Sequence, residues 1–421
     1  MSGPAASRPR REARRADQGG WPRPETMLLA AVTALVCFGF VMVYSTSSAT
    51  ALLTQQDPTG QATRQVFYAV LGIAGYLVFV RMGPRGLRRL GPPLLAVALL
   101  MLVVVLIPGV GTQVNGAQRW IALPAFGTVQ PSEIAKLALI LWVAQLVARH
   151  PGALRDWRGL LPYFAVAATI ALLIMLQPDM DTTLILGATL LAMLVVAGAH
   201  LRHLMAVAGA ALGVAAMAIM AEPYRRERLL AFLSPDAPGA GDGHQALQAQ
   251  IAVGVGGIRG VGLGDGVQKA FYLPEASSDM ILATVGEELG LIGLAGVVLG
   301  FLVFAVAGFL IAANAPDLHQ QVVATGITAM VVVQAFINMG AVLGLMPLAG
   351  LTLPFVSYGG SSLIVLLCCT GILVNIGRRT TSEVHAGRVV AVGDRRDRGR
   401  GDGRARVARA GGGRRAAGAR G

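Results

Sequence analysis

A chain of 421 residues with 54% hydrophobic residues, 14% charged residues and a mean hydropathy of +0.63 is not an ordinary soluble globule, whose charged share is about a quarter. Nor does the formal net charge of +13 mark a nucleic-acid binder. Residues 1–25 hold six Arg against three acids and residues 378–421 hold thirteen Arg against four, so the two ends carry nearly all of the excess.

The apolar runs are about 17 to 25 residues long, enough to cross a hydrocarbon core of about 30 Å as helices, and they lack the period-two alternation of barrel strands. The expected fold is therefore an all-α polytopic membrane protein of about ten transmembrane helices, with a large extracytoplasmic loop between spans 7 and 8. Residues 1–25 and 379–421 are rich in Gly, Ala and Arg without apolar periodicity, and are expected to be disordered basic tails resting on anionic membrane lipids. Residues 26–378 form the membrane domain, with spans expected at 27–45, 66–81, 92–109, 133–148, 161–177, 182–199, 203–221, 280–312, 321–343 and 361–377. The stretch 280–312 is longer than one crossing needs, which calls for a tilt or for first turns outside the bilayer. Arg81, Arg85, Arg88 and Arg89 follow span 2, and Arg149, Arg155 and Arg158 follow span 4, whereas the first intervening loop has Arg64; this bias puts both termini in the cytoplasm. An Arg-rich segment precedes a first span too long for a signal-peptide core, so no cleavable signal is expected. Cys37, Cys368 and Cys369 all fall in expected spans, leaving no disulfide framework and no metal-ligand spacing.

Four polar segments face outward on this plan. Residues 114–136, VNGAQRWIALPAFGTVQPSEIAK, contain a helix start at Pro131 with Glu133 in its first turn. Lys136 lies one turn deeper and is open to a local pair with Glu133, and Trp120 reads equally as an interfacial anchor or a substrate contact. The turn QPDMDT, residues 177–182, sets Asp179 beside Asp181, which suits either a hard cation such as Mg2+ or a helix cap. The large loop, residues 222–278, contains Arg225, Arg228, Arg259, Lys269 and Glu275, and Asp279 follows it. By residue type Asp279 is either the cap of the next span or a catalytic carboxylate. Glu287 and Glu288 lie about two turns inside that span, where a charge must be neutral, paired or wet. In residues 344–362, GLMPLAGLTLPFVSYGGSS, prolines, glycines and hydroxyls interrupt apolar sequence; irregular backbone at membrane depth reads as a cavity wall.

Six motifs in fixed order carry a resemblance: NGAQRWI at 115–121, QPSEIAKL at 130–137, QPD at 177–179, YRRERLLAFLSP at 224–235, GLGDGVQKAFYLPEASSDMILATVGEELGLIG at 262–293 and GLTLPFVSYGGSS at 350–362. Together they resemble the SEDS (shape, elongation, division and sporulation) family, most closely its cell-division branch, over about residues 27 to 378. His244, Asp181, Ala349 and Ser277 depart from the residues usual at their motif positions.

The resemblance implies a peptidoglycan glycosyltransferase polymerising lipid II at the outer membrane face, partnered by a class B penicillin-binding protein transpeptidase and other divisome membrane proteins. It places Asp279 at the essential aspartate position. Lys269, Glu275, Arg119, Lys136 and the Ser357, Tyr358, Gly359 and Ser361 segment also fall on motif positions. The 4-hydroxyl of one sugar attacks the anomeric carbon of another, and undecaprenyl diphosphate leaves. Such a reaction needs a base, assigned to Asp279, and positive charge for the diphosphate. The cation candidates are Lys269, Arg119, Arg225, Arg228 and Arg259, the first two preferred. At membrane depth Lys136 and Glu288 are expected to pair across helices, with Glu133 the nearer alternative partner. Two other classes compete: a lipid II transporter using the intramembrane charges, and a noncatalytic division scaffold.

Overall fold

The structure, a computed structural model, describes residues 22–54, 59–114, 117–123, 127–233 and 242–380. The expected tails, 1–25 and 379–421, lie almost wholly outside them. One compact body covers Pro22–Gly377.

Its helices are α1 (Pro24–Thr54), α2 (Gly60–Arg81), α3 (Pro84–Val104), α4 (Pro131–Arg149), α5 (Trp157–Met175), α6 (Met180–Val196), α7 (Leu201–Ala221), α8 (Pro223–Leu233), α9 (Asp242–Gly256), α10 (Gln268–Phe271), α11 (Ile281–Ala313), α12 (Leu318–Val342) and α13 (Gly360–Thr380). Among the described residues nine helices are long and apolar enough to cross a membrane. The remaining expected span, 182–199, is α6, which at 17 residues covers about 26 Å by helical rise. Both its ends are set locally. Asp179 caps its start by accepting from the Thr182 N–H at 3.1 Å, and past its end Gly198, at φ +88°, turns the chain while the Ala199 N–H reaches back to the Leu194 carbonyl at 3.0 Å.

Hydropathy does not separate central from peripheral helices, but burial does. The most apolar windows of α4, α12 and α13 are 78%, 72% and 83% buried inside the protein, against 6% for α7. The first three form the centre and α7 turns nearly all of its surface outward, as a lipid-facing helix does. Close approach at the centre rests on small residues: a Cβ on Gly91 of α3 would stand 3.0 Å from the Leu141 carbonyl oxygen of α4.

Three features depart from the sequence expectation, the first being that the segment read as the large loop contains the helices α8, α9 and α10. Residues read as a loop before α4 form an antiparallel sheet in the order β1–β2–β3, from β1 (Gly111–Val114), β2 (Ala117–Leu123) and β3 (Gly127–Val129). Thr112 pairs with Trp120 and Gln113 with Gln118, so Arg119 falls between two paired residues, at a bulge. Such a bulge re-aims a side chain.

The long span α11 is broken at Gly290, whose φ of 62° and ψ of −156° are non-helical. Before the break, Ile281 to Glu288 are all buried; after it, Leu291, Ile292, Val298, Leu299 and Leu302 face outward. The carbonyls and N–H groups freed at the break are taken up by the glycine-rich loop: the Val261 N–H donates to the Glu287 carbonyl at 3.0 Å, Gly262 to Glu288 at 3.1 Å, and Leu291 to the Gly257 carbonyl at 2.9 Å. Glycine is required on both sides, because a Cβ on Gly256 or Gly260 would collide with the backbone of Gly286 or Glu288. The crossing segment is thus the part after Gly290, about 34 Å by rise.

Candidate functional site

One end of the bundle gathers the sheet, the starts of α4, α6 and α11, and the segment before α13. Asp279 sits there, partly buried, just ahead of α11. The helix cap position is Met280, and no side chain caps it, so the Asp279 carboxylate is not a capping group. Its backbone is fixed instead: Asn338 of α12 donates from Nδ2 to the Asp279 carbonyl at 2.9 Å and to the Leu351 carbonyl at 2.6 Å. The carboxylate oxygens take no hydrogen bond among the described residues and are left to the cleft.

Gly350 opens the space beside it. A Cβ built there would stand 3.7 Å from Asp279 Oδ2 and 4.0 Å from Arg119 Nη1, so both groups border one small gap. Arg119 is oriented by α5's end: its Nε donates to the Gln177 carbonyl at 2.9 Å and its Nη2 to the Pro178 carbonyl. That leaves Nη1 toward the gap. From α8, Arg228 Nη1 lies 3.7 Å from Asp181 Oδ2, and the same oxygen accepts from the Gly350 N–H at 3.0 Å. Burial, then the negative charges of Glu275 and Asp181, push the Asp279 carboxyl up to about 7, against the opposing pull of Arg119 and Arg228. A carboxylate poised there holds its proton weakly enough to be a base and strongly enough to take one.

Glu275 lies at the rim, exposed, in a left-handed conformation (φ 55°), its carboxylate accepting from Ser278 Oγ at 2.8 Å. Residues of the SYGGSS segment build the wall. Ser357 Oγ accepts from the Leu353 N–H at 2.8 Å, the Tyr358 N–H donates to the Ser277 carbonyl at 2.8 Å, and Ser361 Oγ accepts from the Gln130 N–H at 3.2 Å. Gly359 packs against Thr352. Trp120, beside Arg119 on β2, is partly buried.

Three expected placements are corrected. Lys269 does not face the cleft: its side chain is 1% exposed, ion-paired to Glu288, and donates to Ser45 Oγ of α1 and to the Gly264 carbonyl, each at 2.9 Å. Ser45 Oγ in turn donates to Glu288 at 2.8 Å, so the buried charges are matched and hydrogen-bonded. Glu288 is therefore taken, and Lys136 does not pair with it. Lys136 bonds Glu133 at 2.8 Å and Gln334 of α12 at 2.8 Å, the local alternative. Gln334 also donates to the Thr352 carbonyl at 3.0 Å, which ties this pair to the cavity wall. Arg259 is exposed in the loop against the Gly290 break, about 16 Å from Asp279 by rise along α11. The side chain of Arg225 lies outside the described residues.

Asp179 and Asp181 do not converge. Thr182 engages both Asp179 oxygens, from its N–H at 3.1 Å and its hydroxyl at 2.8 Å, whereas Asp181 turns to Gly350 and Arg228. Among the described residues no group of three or more His, Cys, Asp or Glu side chains is arranged to hold a metal. Sequence reasoning missed Asn338 and Gly350 as parts of the site, and read Asp181 as a cation ligand or a cap rather than as a partner of Gly350 and Arg228. Gly350 acts through its own N–H, and Asn338 through a side-chain amide that holds two backbone carbonyls, and residue type reveals neither.

The family model FTSW_RODA_SPOVE, described as a cell cycle protein, matches residues 25–382. The chain belongs to the FtsW/RodA/SpoVE family. It is 41% identical over 358 residues to the probable peptidoglycan glycosyltransferase FtsW of Geobacter metallireducens, covering 85% of this chain and 95% of that one. To the stage V sporulation protein E of Bacillus subtilis it is 38% identical, covering 84% and 97%. A solved structure described under the words "structural coordination of polymerization and crosslinking by a peptidoglycan synthase complex" superposes with a TM-score of 0.70 at 30% identity, covering 84% of this chain and 97% of that one. Like its family, the chain is an integral membrane protein built of apolar helices.

Proposed function

We propose that this FtsW/RodA/SpoVE member is a peptidoglycan glycosyltransferase that polymerises lipid II at the outer face of the cytoplasmic membrane during septal wall synthesis. The observation that carries the reading is Asp279: a carboxylate outside any cap, poised near neutrality and flanked by Arg119 and Arg228. Asp279 takes the proton of the attacking sugar 4-hydroxyl as the new bond forms at the anomeric carbon. Arg119 Nη1 and Arg228 meet the charge that builds on the departing undecaprenyl diphosphate, in a partly dehydrated cleft where that interaction is strongest. A single displacement inverts an α-linked donor to a β-linked product and needs no covalent intermediate. Any Mg2+ would enter with the diphosphate, since both Asp179 oxygens already accept from Thr182.

The outward orientation is supported by Arg85, Arg88 and Arg89 at the start of α3, which lie at the opposite end of the helix from the sheet. Both termini then lie in the cytoplasm, and the polyprenyl tails stay in lipid while the sugars react at the surface. A class B penicillin-binding protein and further divisome membrane proteins are the proposed partners; the synthase complex among the structural neighbours supports that choice.

The transport reading loses its charges to structure. Lys136 pairs with Glu133, Glu288 pairs with Lys269, and Glu287 accepts from the Val267 and Gln268 N–H groups. Lipid II supplied to the detergent-solubilised protein tests the proposal, because there is no membrane to cross. Glycan strands from the parent and none from Asp279→Asn support it; no strands from the parent, with and without the cognate transpeptidase, contradict it.

A further inference from the structure

Asp181 stands where three elements of the cleft meet. It lies in the first turn of α6, but the cap of that helix is already made by Asp179, so the Asp181 carboxylate has no local duty there. Its Oδ2 instead accepts from the Gly350 N–H at 3.0 Å and approaches Arg228 Nη1 at 3.7 Å. Gly350 lies beside both catalytic-site groups, since a Cβ there would stand 3.7 Å from Asp279 Oδ2 and 4.0 Å from Arg119 Nη1. With the Asp181 side chain 21% exposed and Arg228 24% exposed, the ion pair is partly screened and contributes at most about 1 kcal/mol to folding. Stability alone does not explain the arrangement.

Four charged groups act on Asp279, one from each element around it: Glu275 from the loop ahead of α11, Asp181 from α6, Arg119 from β2 and Arg228 from α8. Arg119 is anchored by two backbone carbonyls. Arg228 has Asp181 as the carboxylate across from it.

We propose that Asp181 is a positioning residue of the glycosyl transfer, holding the Arg228 guanidinium and the Gly350 backbone at the cleft and setting a second negative charge near the base. This rests on the reading of Asp279 as the base. Two effects follow that a merely structural residue would not produce together. Without the Asp181 charge, Arg228 is less well placed for the diphosphate, so the KM for lipid II rises by up to about fivefold, the scale of a partly screened ion pair. Asp279 also loses a like charge, so the acidic limb of kcat/KM moves to lower pH by roughly half a unit or more.

The test is the pH dependence of lipid II polymerisation by the solubilised full chain, for Asp181→Asn, Arg228→Gln and Asp279→Asn. Asp181→Asn is expected to raise KM and move the limb down. Arg228→Gln removes a positive neighbour, so it is expected to raise KM and move the limb up. That opposite shift, in a variant that leaves α6 untouched, carries the test even where Asp181→Asn does not fold. If Asp279→Asn is inactive while the Arg228 variant, and any folded Asp181 variant, keep the parent KM and limb, this inference falls and the base assignment stands. If Asp279→Asn polymerises at the parent rate, the base assignment falls and takes the inference with it.

Discussion

Asp279 is held in a state that opposes folding, which the proposed role as base would explain. Its carboxyl is pushed up to about 7, from an ordinary value near about 4, by burial and then by Glu275 and Asp181. Between those values the folded protein keeps a proton that the unfolded chain has released, so stability falls as pH rises from about 4 to about 7. Asp279→Asn removes that penalty. The variant is expected to melt a few degrees above the parent at pH 8, by about the shift that 1 kcal/mol gives in a chain of this size, and the gain should vanish toward pH 4. Thermal melts of the solubilised protein across that range check it; an equal or lower midpoint at pH 8 contradicts the buried-charge account. At this scale the sequence was informative about chemistry and poor about depth. Type left Asp279 open between a cap and a base, and the family resemblance singled it out, whereas Arg119 and Arg228 could be named as cations by type. Lys269 has the same charge and sits in a tight motif, yet the structure buries it against Glu288, because the fold that brings α1 to α11 is not written in the local spacing.

At the scale of elements, the break in α11 governs what lies under the cleft. Gly290 adopts φ 62°, and a Cβ there would press on the backbone of Ile258 and Gly260. Gly290→Ala is therefore expected to destabilise by more than about 1 kcal/mol, read as a lower melting midpoint; an unchanged midpoint would mean the break is not needed. Below the site, Lys269→Met and Glu288→Leu should each cost about 3 to 5 kcal/mol by stranding a buried charge, while the double variant recovers much of the loss. Strict additivity in that cycle would deny the pair. The same measurement on Lys136 should show coupling with Glu133 and none with Glu288, reversing the pairing expected from depth alone. Apolar runs made the helices legible, since about 20 residues of hydrocarbon-compatible sequence admit little else. The break and the sheet were not legible. Strands of four, seven and three residues are too short for alternation to declare itself, and a single glycine among many does not announce a break.

For the whole molecule, three buried helices, α4, α12 and α13, support a cleft whose walls come from β2, α6, α8, the Asp279 turn and residues 350–361. Polar contacts, one an ion pair and one a hydrogen bond, fasten both ends of this frame. At the end away from the cleft, Arg88 of α3 bonds Asp317, the cap of α12, at 2.9 Å, and near the cleft Lys136 joins α4 to α12. A rigid frame of this kind keeps the base and the arginines in register while long-tailed substrates exchange from the surrounding lipid. The most direct measurement is the rate of lipid II polymerisation by the solubilised protein, with the proposed transpeptidase partner added, across pH 5 to 9, for the parent and Asp279→Asn. The parent kcat/KM should rise through an apparent pKa near 7 and level off, and Asp279→Asn should be slower by at least about 10²-fold with that limb gone. A well-folded Asp279→Asn that retains the parent rate and the parent pH limb would contradict the account.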